Sequence, residues 1–290
     1  MKIYKIKKSD NAVVGIVSAF LIVGLIVAVL SVVQTQYVPK WMKEKESEHM
    51  HEVEDQFSEL NYAMNTHFIN KVPEVPISTT VTLGSKEMPY MLSMRSFGQL
   101  KINNDSFGLY IDGDSIYNGT FGNIEYNSYN NYFVNQNFIY EAGAVILTQN
   151  SGSIMFINPN LDVLLQKNIT VTLNIINITE VGGSNTIING WGKIPILTEY
   201  KKASYKTTVI DNVEYINISS DYYQTWNKSL NSSFIRAGLN DPRFAKNYQI
   251  SNYSNNLVIH FLDGDNKSLR VTINYVSVET QVLSWVQQRT

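Results

Sequence analysis

Cysteine is missing altogether from this 290-residue chain, which excludes disulfide staples, a thiolate nucleophile and cysteine-held metal. Stability must come from strand pairing and core packing. Charge is also scarce: 23 basic residues face 25 acidic ones, the formal net charge is −2, and only 17% of residues are charged. No basic stripe marks a nucleic-acid footprint, so no nucleic-acid partner is expected. Catalytic signatures are missing as well. There is no Gly-x-Ser-x-Gly elbow and no Gly-x-x-x-x-Gly-Lys phosphate loop, and His260 is the lone histidine outside the segment that carries His49, His51 and His67. A serine triad is therefore hard to build, and although acids for a glycosidase pair exist, nothing selects two. The expectation is a non-catalytic protein without cofactor or metal.

What the chain does have is a long uncharged run from Asn11 to Pro39. From Ala12 to Val33 only Gly15, Ser18, Gly24 and Ser31 interrupt Val, Ile, Leu, Ala and Phe. About 22 residues at a helical rise make roughly 33 Å, enough to cross the hydrocarbon core of a bilayer. A secretory signal has a shorter apolar core and an Ala-x-Ala-like site after it, so this span reads as retained, with membrane lipid as its partner. Lys2, Lys5, Lys7 and Lys8 precede it, which places the N-terminus in the cytoplasm and the bulk of the chain outside.

The charge-dense segment 40–72 follows, rich in Glu, Lys and Met, and reads as an amphipathic stalk helix. Met50, Val53, Phe57, Leu60 and Met64 recur at alternating spacings of three and four and form one apolar stripe. Two heptads are too few for a stable coiled coil, so the stripe packs either on the protein's own outer domain or on another subunit. Pro39 either kinks one long helix or divides it. His49 and His51, two apart on a helix, point to opposite sides and cannot share a metal ion, so they read as solvated stalk residues.

Beyond Pro73 and Pro76 the texture changes to short Ile, Val, Thr and Tyr runs separated by Gly, Asn and Asp, which is strand and turn chemistry. Strands are expected at 77–83, 107–111, 123–126, 138–148, 153–157, 169–178, 205–218, 257–261 and 269–278. Ser220 is placed to cap one inserted helix whose Tyr222, Trp226, Leu230 and Phe234 share a face, read as core packing rather than an aromatic binding platform. Asp112-Gly113-Asp114 and Asp263-Gly264-Asp265 read as hairpin turns rather than calcium loops, since neither continues into a twelve-residue EF-hand pattern. The expected fold class is α+β: residues 1–9 a basic leader, 10–39 a transmembrane helix, 40–72 the stalk helix, and 73–290 a mostly antiparallel, β-sandwich-like outer domain with one inserted helix.

Nine Asn-x-Ser/Thr triplets lie beyond the span, at Asn104, Asn118, Asn168, Asn177, Asn217, Asn227, Asn231, Asn252 and Asn266. In an exported chain each is a candidate N-glycan acceptor, and a sequence this rich in Asn and Ser also generates such triplets by composition alone.

The stretch Lys8-Ser9-Asp10-Asn11-Ala12-Val13-Val14-Gly15 resembles the class III signal of archaeal type IV pilin-like proteins and archaellins. That resemblance implies cleavage by a prepilin peptidase between Ser9 and Asp10, with Lys8 before the cut, or alternatively one residue later. Further along, Tyr37-Val38-Pro39-Lys40-Trp41, Ser78-Thr79-Thr80, Leu83-Gly84-Ser85, Tyr140-Glu141-Ala142-Gly143-Ala144-Val145 and Tyr222-Tyr223 with Trp226 look like pieces of an uncharacterised archaeal group of pilin-like membrane proteins with a β-rich outer domain. The resemblance implies a cell-surface protein: a filament subunit, a minor pilin or an anchored adhesion protein, with prepilin peptidase and other pilin-like subunits as partners. The alternative is a membrane-tethered receptor for a small ligand or carbohydrate, and an extracytoplasmic hydrolase comes third.

Overall fold

A computed structural model describes residues 10–86, 95–166, 168–239, 248–262 and 269–283. It opens with one continuous helical rod in three stretches: α1 (Asp10–Val32), a π-helical turn (Val33–Tyr37) and α2 (Val38–Asn70). The π turn answers Pro39, which has no N–H to give the carbonyl four residues back. The ladder widens just before the proline, with Val38 N–H bonded to Val33 O, and the rod neither breaks nor ends there. It stops where Lys71 adopts a left-handed conformation (φ 52°) and returns its N–H to His67 O, two residues before Pro73.

Fifteen strands follow among the described residues, in two sheets. The first has six strands in the order β1 (Ile77–Thr82), β10 (Lys193–Tyr200), β15 (Leu269–Val282), β8 (Ile169–Glu180) and β7 (Leu161–Leu165), with β11 (Lys206–Ile210) also on β15. The second has nine: β13 (Tyr248–Tyr253), β14 (Asn256–Phe261), β12 (Tyr215–Ser219), β2 (Phe97–Asp112), β3 (Tyr117–Tyr129), β4 (Gln136–Glu141), β5 (Ala144–Gln149) and β6 (Gly152–Ile157), with β9 (Thr186–Gly190) on β2. Every described pairing is antiparallel except β8 with β15. One helix, α3 (Tyr223–Arg236), is inserted between β12 and β13.

The sequence expectation of a long N-terminal helix followed by a mostly antiparallel β domain with one extra helix therefore holds, with corrections in detail. The single run expected at 138–148 is the hairpin β4–β5, turned by Ala142 (φ 50°) and Gly143 (φ 89°). Positive φ at both central residues is the two-residue hairpin geometry that matches strand twist. Its strands read as one apolar run because they are buried on both faces, with Ile139 and Ile146 in one apolar cluster and Phe138, Tyr140 and Val145 in the other. The run expected at 205–218 is two strands in different sheets, β11 and β12, separated by 211–214. Four strands went unread: β7, β9, β10 and β13. In β9 and β13 at most one residue is buried, and β10 contains Pro195, so the usual alternation is weak or interrupted. Asp112 ends β2 and Gly113-Asp114 begin the turn into β3, as expected, whereas Asp263-Gly264-Asp265 lie outside the described residues.

The two clusters share their long strands. In β15, Leu269, Val271 and Ile273 enter the first cluster, and Val276 and Val278 the second; in β8, Val171, Leu173 and Ile175 give way to Ile176 and Ile178. The shift from odd to even positions means that each strand changes its buried face partway along. Trp226, Leu230 and Phe234 of α3 complete the first cluster, so that face is core. Ser220 does not cap α3 from its N-cap position: the N-cap is Tyr222, and the Ser220 hydroxyl accepts the Tyr222 N–H at 3.0 Å.

The second cluster contains the helix stripe. Met50, Val53, Phe57, Leu60 and Met64 are all buried against β-domain residues that include Val81, Phe138, Tyr140 and Val276. Of the two destinations open to the stripe, this fold uses the protein's own domain. Polar side chains beside the stripe bond to the facing strands: Gln56 accepts Thr82 N–H and donates to Thr82 Oγ1, both at 2.8 Å. His49 and His67 do the same work. His49 Nε2 lies 2.9 Å from Thr82 O, and His67 Nε2 lies 3.1 Å from Thr198 O. A carbonyl only accepts, so Nε2 carries the proton in each ring. The expectation that His49 is solvated is thus wrong: the geometry that turns His51 to solvent turns His49 inward, where it is 4% exposed. Nearer the span, buried Glu46 accepts the backbone N–H groups of Asn131, Tyr132 and Phe133 at 2.9, 2.7 and 2.6 Å.

Truncating Phe57 to Ala removes the centre of the stripe and is expected to cost about 3–5 kcal/mol of stability, as seen for large-to-small core changes; chemical unfolding of the full chain in detergent measures it. Burial lowers the pKa of both His49 and His67 below the ordinary imidazole value. Unfolding therefore takes up protons, and the stability these groups provide is present above the ordinary value of 6.5 and lost as pH falls below it. A His67→Gln chain should show a shallower loss of unfolding midpoint on the acid side than the parent; parallel curves would contradict this role.

Candidate functional site

Three features stand apart from the packed core: the N-terminal helix, the asparagine triplets and a groove on the nine-stranded sheet. In α1, the large apolar side chains from Val14 to Val32 are all at least half exposed. Such a surface is not stable in water over this length, whereas in hydrocarbon it is the expected exterior. Two hydroxyls bond back to the rod itself, Ser31 Oγ donating to Val27 O and, in the π turn, Thr35 Oγ1 to Ser31 O, each at 2.8 Å. Gly15 and Gly24 leave open helix surface, with nothing near an added Cβ. Lys8 and Ser9 lie outside the described residues, and Asp10 is the first residue of α1.

The triplet asparagines fall into different environments. Asn118, Asn168 and Asn252 are exposed, and Asn266 lies outside the described residues. Asn177 is buried, accepting the Gly122 N–H at 2.9 Å and donating to Tyr275 Oη at 3.0 Å. This bond crosses from the six-stranded to the nine-stranded sheet at a place where a side chain on Gly122 would collide with Ile178 O and Asn103 O. In the folded chain Asn177 is a joint between sheets, its Oδ1 and its Nδ2 each engaged. Asn104 spans the same gap, accepting the Glu180 N–H at 3.1 Å. Asn227 and Asn231 sit on α3, bonded to Asn252 and to Tyr248. Asn217 is half-buried, and its buried Oδ1 has no partner.

The groove lies where β12, β2 and β3 run side by side. Register places Gly108 between Ser219 and Thr120, and Tyr110 between Asn217 and Asn118. The pairing of β2 with β3 slips between Asn103 and Phe107, a bulge that brings Asp105 to the rim, where its Oδ1 accepts the Thr120 hydroxyl at 3.2 Å. The resulting cavity measures about 290 Å³. Beside it, Tyr110 stacks on Tyr215 with ring centroids 5.7 Å apart and planes at 21°, and Tyr215 meets His260 at 5.5 Å. The sequence offered a faint signal for this place in the Asn-Asp-Ser before Phe107 and the glycine inside a strand, but not the cross-strand neighbours that complete it.

One residue of the Tyr140-to-Val145 piece is a buried carboxylate to which the sequence assigns no role of its own. Glu141, at the end of β4, is 1% exposed, and its Oε1 accepts the Ser220 hydroxyl and the Trp226 indole N–H, both at 2.7 Å. Burial raises its carboxyl to about 7, against the pull of those two hydrogen bonds. The Tyr140-Glu141-Ala142-Gly143 motif is thus a hairpin whose acid pins the start of α3. Among the described residues no group of three or more His, Asp or Glu is arranged to hold a metal ion.

Compared with known proteins, the chain matches no family model, no curated protein and no solved structure.

The raised acid gives a prediction of opposite sign to that of the histidines. Between the ordinary value of 4.5 and about 7 the native state keeps a proton that the unfolded chain releases, so stability falls as pH rises through that window. Glu141→Gln keeps an acceptor for Ser220 and Trp226 and should remove about 2–3 kcal/mol of that loss, measured as unfolding free energy near pH 5 and near pH 8. An unchanged pH slope in the variant would rule Glu141 out as its source.

Proposed function

We propose that this chain is a single-span, pilin-like archaeal cell-surface protein, non-catalytic, with its N-terminus in the cytoplasm and its β-rich, sandwich-like domain outside. The observation that carries this reading is the helix from Val14 to Asn70, 57 residues long, apolar and exposed in its first half and built into the domain core in its second. A helix shared in this way joins the anchor to the domain without a flexible linker. The basic leader with Lys8 and Ser9 before Asp10 supports processing by a prepilin peptidase, and the open surfaces at Gly15 and Gly24 support close approach of a second helix, in a filament or in lipid.

Intact-mass measurement of the protein from native membranes or shed filaments tests this. A chain beginning at Asp10 or Asn11 and recovered in ordered filaments is the expected outcome for a filament subunit; the same cleaved chain found only in membranes indicates the anchored form. Retention of Met1 in a host with active prepilin peptidase removes the pilin-like reading and leaves a plain anchored protein. Added glycan mass would map to the exposed triplets Asn118, Asn168 and Asn252 before the buried Asn177.

A further inference from the structure

We propose that the groove over Gly108 is a binding site for a neutral saccharide, with one sugar ring laid across the bare strand and its C–H face against Tyr110. The proposal does not depend on whether α1 stays in lipid or enters a filament. Three independent features of the sheet point to a ligand. First, a glycine in the middle of a long strand leaves backbone uncovered on the outer face, and a Cβ there would already stand 3.2 Å from Ser219 Cβ. Second, the bulge at Asn103/Phe107 interrupts the ladder and turns a carboxylate, Asp105, toward the same hollow. Third, Tyr110 is held in place by Tyr215, which is itself backed by His260, so the aromatic wall is ordered before anything binds.

The lining decides the chemistry. Amides, hydroxyls and one carboxylate face the hollow, with no cationic side chain among the described lining residues, so a phosphate or a uronic acid would find no counter-charge from them. An apolar ligand would bury Asn118 and Ser219 without partners, at a cost of about 1–3 kcal/mol for each group left unsatisfied. A bare cation would find one carboxylate, already bonded to Thr120. A sugar ring meets all these conditions, because it has an apolar C–H face for the tyrosine and neighbouring hydroxyls that both donate and accept. The Asn217 amide, whose buried Oδ1 is unsatisfied, has hydrogen-bonding capacity to give on rotating toward the hollow. A volume of about 290 Å³ lies at the small end of ligand sites and suits a short saccharide. Asn118 and Asn217 both line the groove and both belong to acceptor triplets, so a glycan attached at either would fill the same space from within the chain.

The test uses the full chain in detergent, made in a host without N-glycosylation, titrated with lactose, maltose, mannobiose and chitobiose by saturation-transfer NMR. Sialyllactose and calcium chloride serve as counter-probes. At least one neutral disaccharide should bind saturably, and Tyr110→Ala or Gly108→Val should weaken that binding at least tenfold while Tyr110→Phe retains it. Should either of those variants fail to fold, Asp105→Asn on the rim supplies the same reading, with unchanged melting temperature as the control. Native chain glycosylated at Asn118 or Asn217 should bind the added sugar more weakly, and enzymatic deglycosylation should restore it. The proposal is overturned if none of the four disaccharides binds, if binding ignores these substitutions, if calcium alone binds, or if the face proves to hold a second copy of the chain.

Discussion

The burial of the α2 stripe in the second apolar cluster is the interaction on which the rest depends. Met50, Val53, Phe57, Leu60 and Met64 are buried with residues from both sheets, so the helix is a structural member of the domain and not a stalk beneath it. The polar contacts beside the stripe add direction to a force that has none of its own. Gln56, His49 and His67 bond to the backbone of β1 and β10, and Glu46 gathers three successive loop N–H groups, which sets the helix in one register along the domain. Sliding by a turn would bury the same kind of surface but leave these groups unpaired, at a penalty that an apolar contact does not carry.

A chain without cysteine has to hold two large sheets together by other means. Here the long strands β2, β3, β8 and β15 supply both clusters by changing their buried face partway along, and the β4–β5 hairpin is buried on both faces. Side-chain amides complete the joint. Asn177 and Asn104 each bond to backbone in the opposite sheet, so two of the nine acceptor triplets serve the interior of the fold. The abundance of asparagine thus has at least two origins, one inside at the sheet junction and one outside on the polar face of the nine-stranded sheet.

Titration ties the core to its surroundings. Buried imidazoles on α2 favour the folded state at neutral pH and above, whereas the buried Glu141 carboxyl favours it under acid conditions. The two influences meet between the ordinary values of the groups, near mildly acidic pH, and they act on different joints: α2 on the sheets, and α3 on the β4–β5 hairpin. The groove lies on neither joint. It is a feature of one sheet's outer face, built by a bulge and a glycine.

The sequence by itself determined the apolar span, the stripe on the following helix, the β texture after Pro73 and the inward face of α3, because each is a periodic pattern carried by neighbours in one segment. It also determined that the chain contains no thiol and no Gly-x-Ser-x-Gly elbow. Only the tertiary structure decided where the stripe goes, that His49 is buried while His51 is not, that 138–148 doubles back at Ala142-Gly143, and that Asn177 is a joint rather than a surface amide. Gly108, Tyr110 and Asn217 likewise became one groove only through register, across more than a hundred residues of chain. The physical reason is the same in each case. Burial and hydrogen bonding across sheets are set by partners distant in sequence, and a local pattern can say that a side chain needs a partner without saying which one it finds.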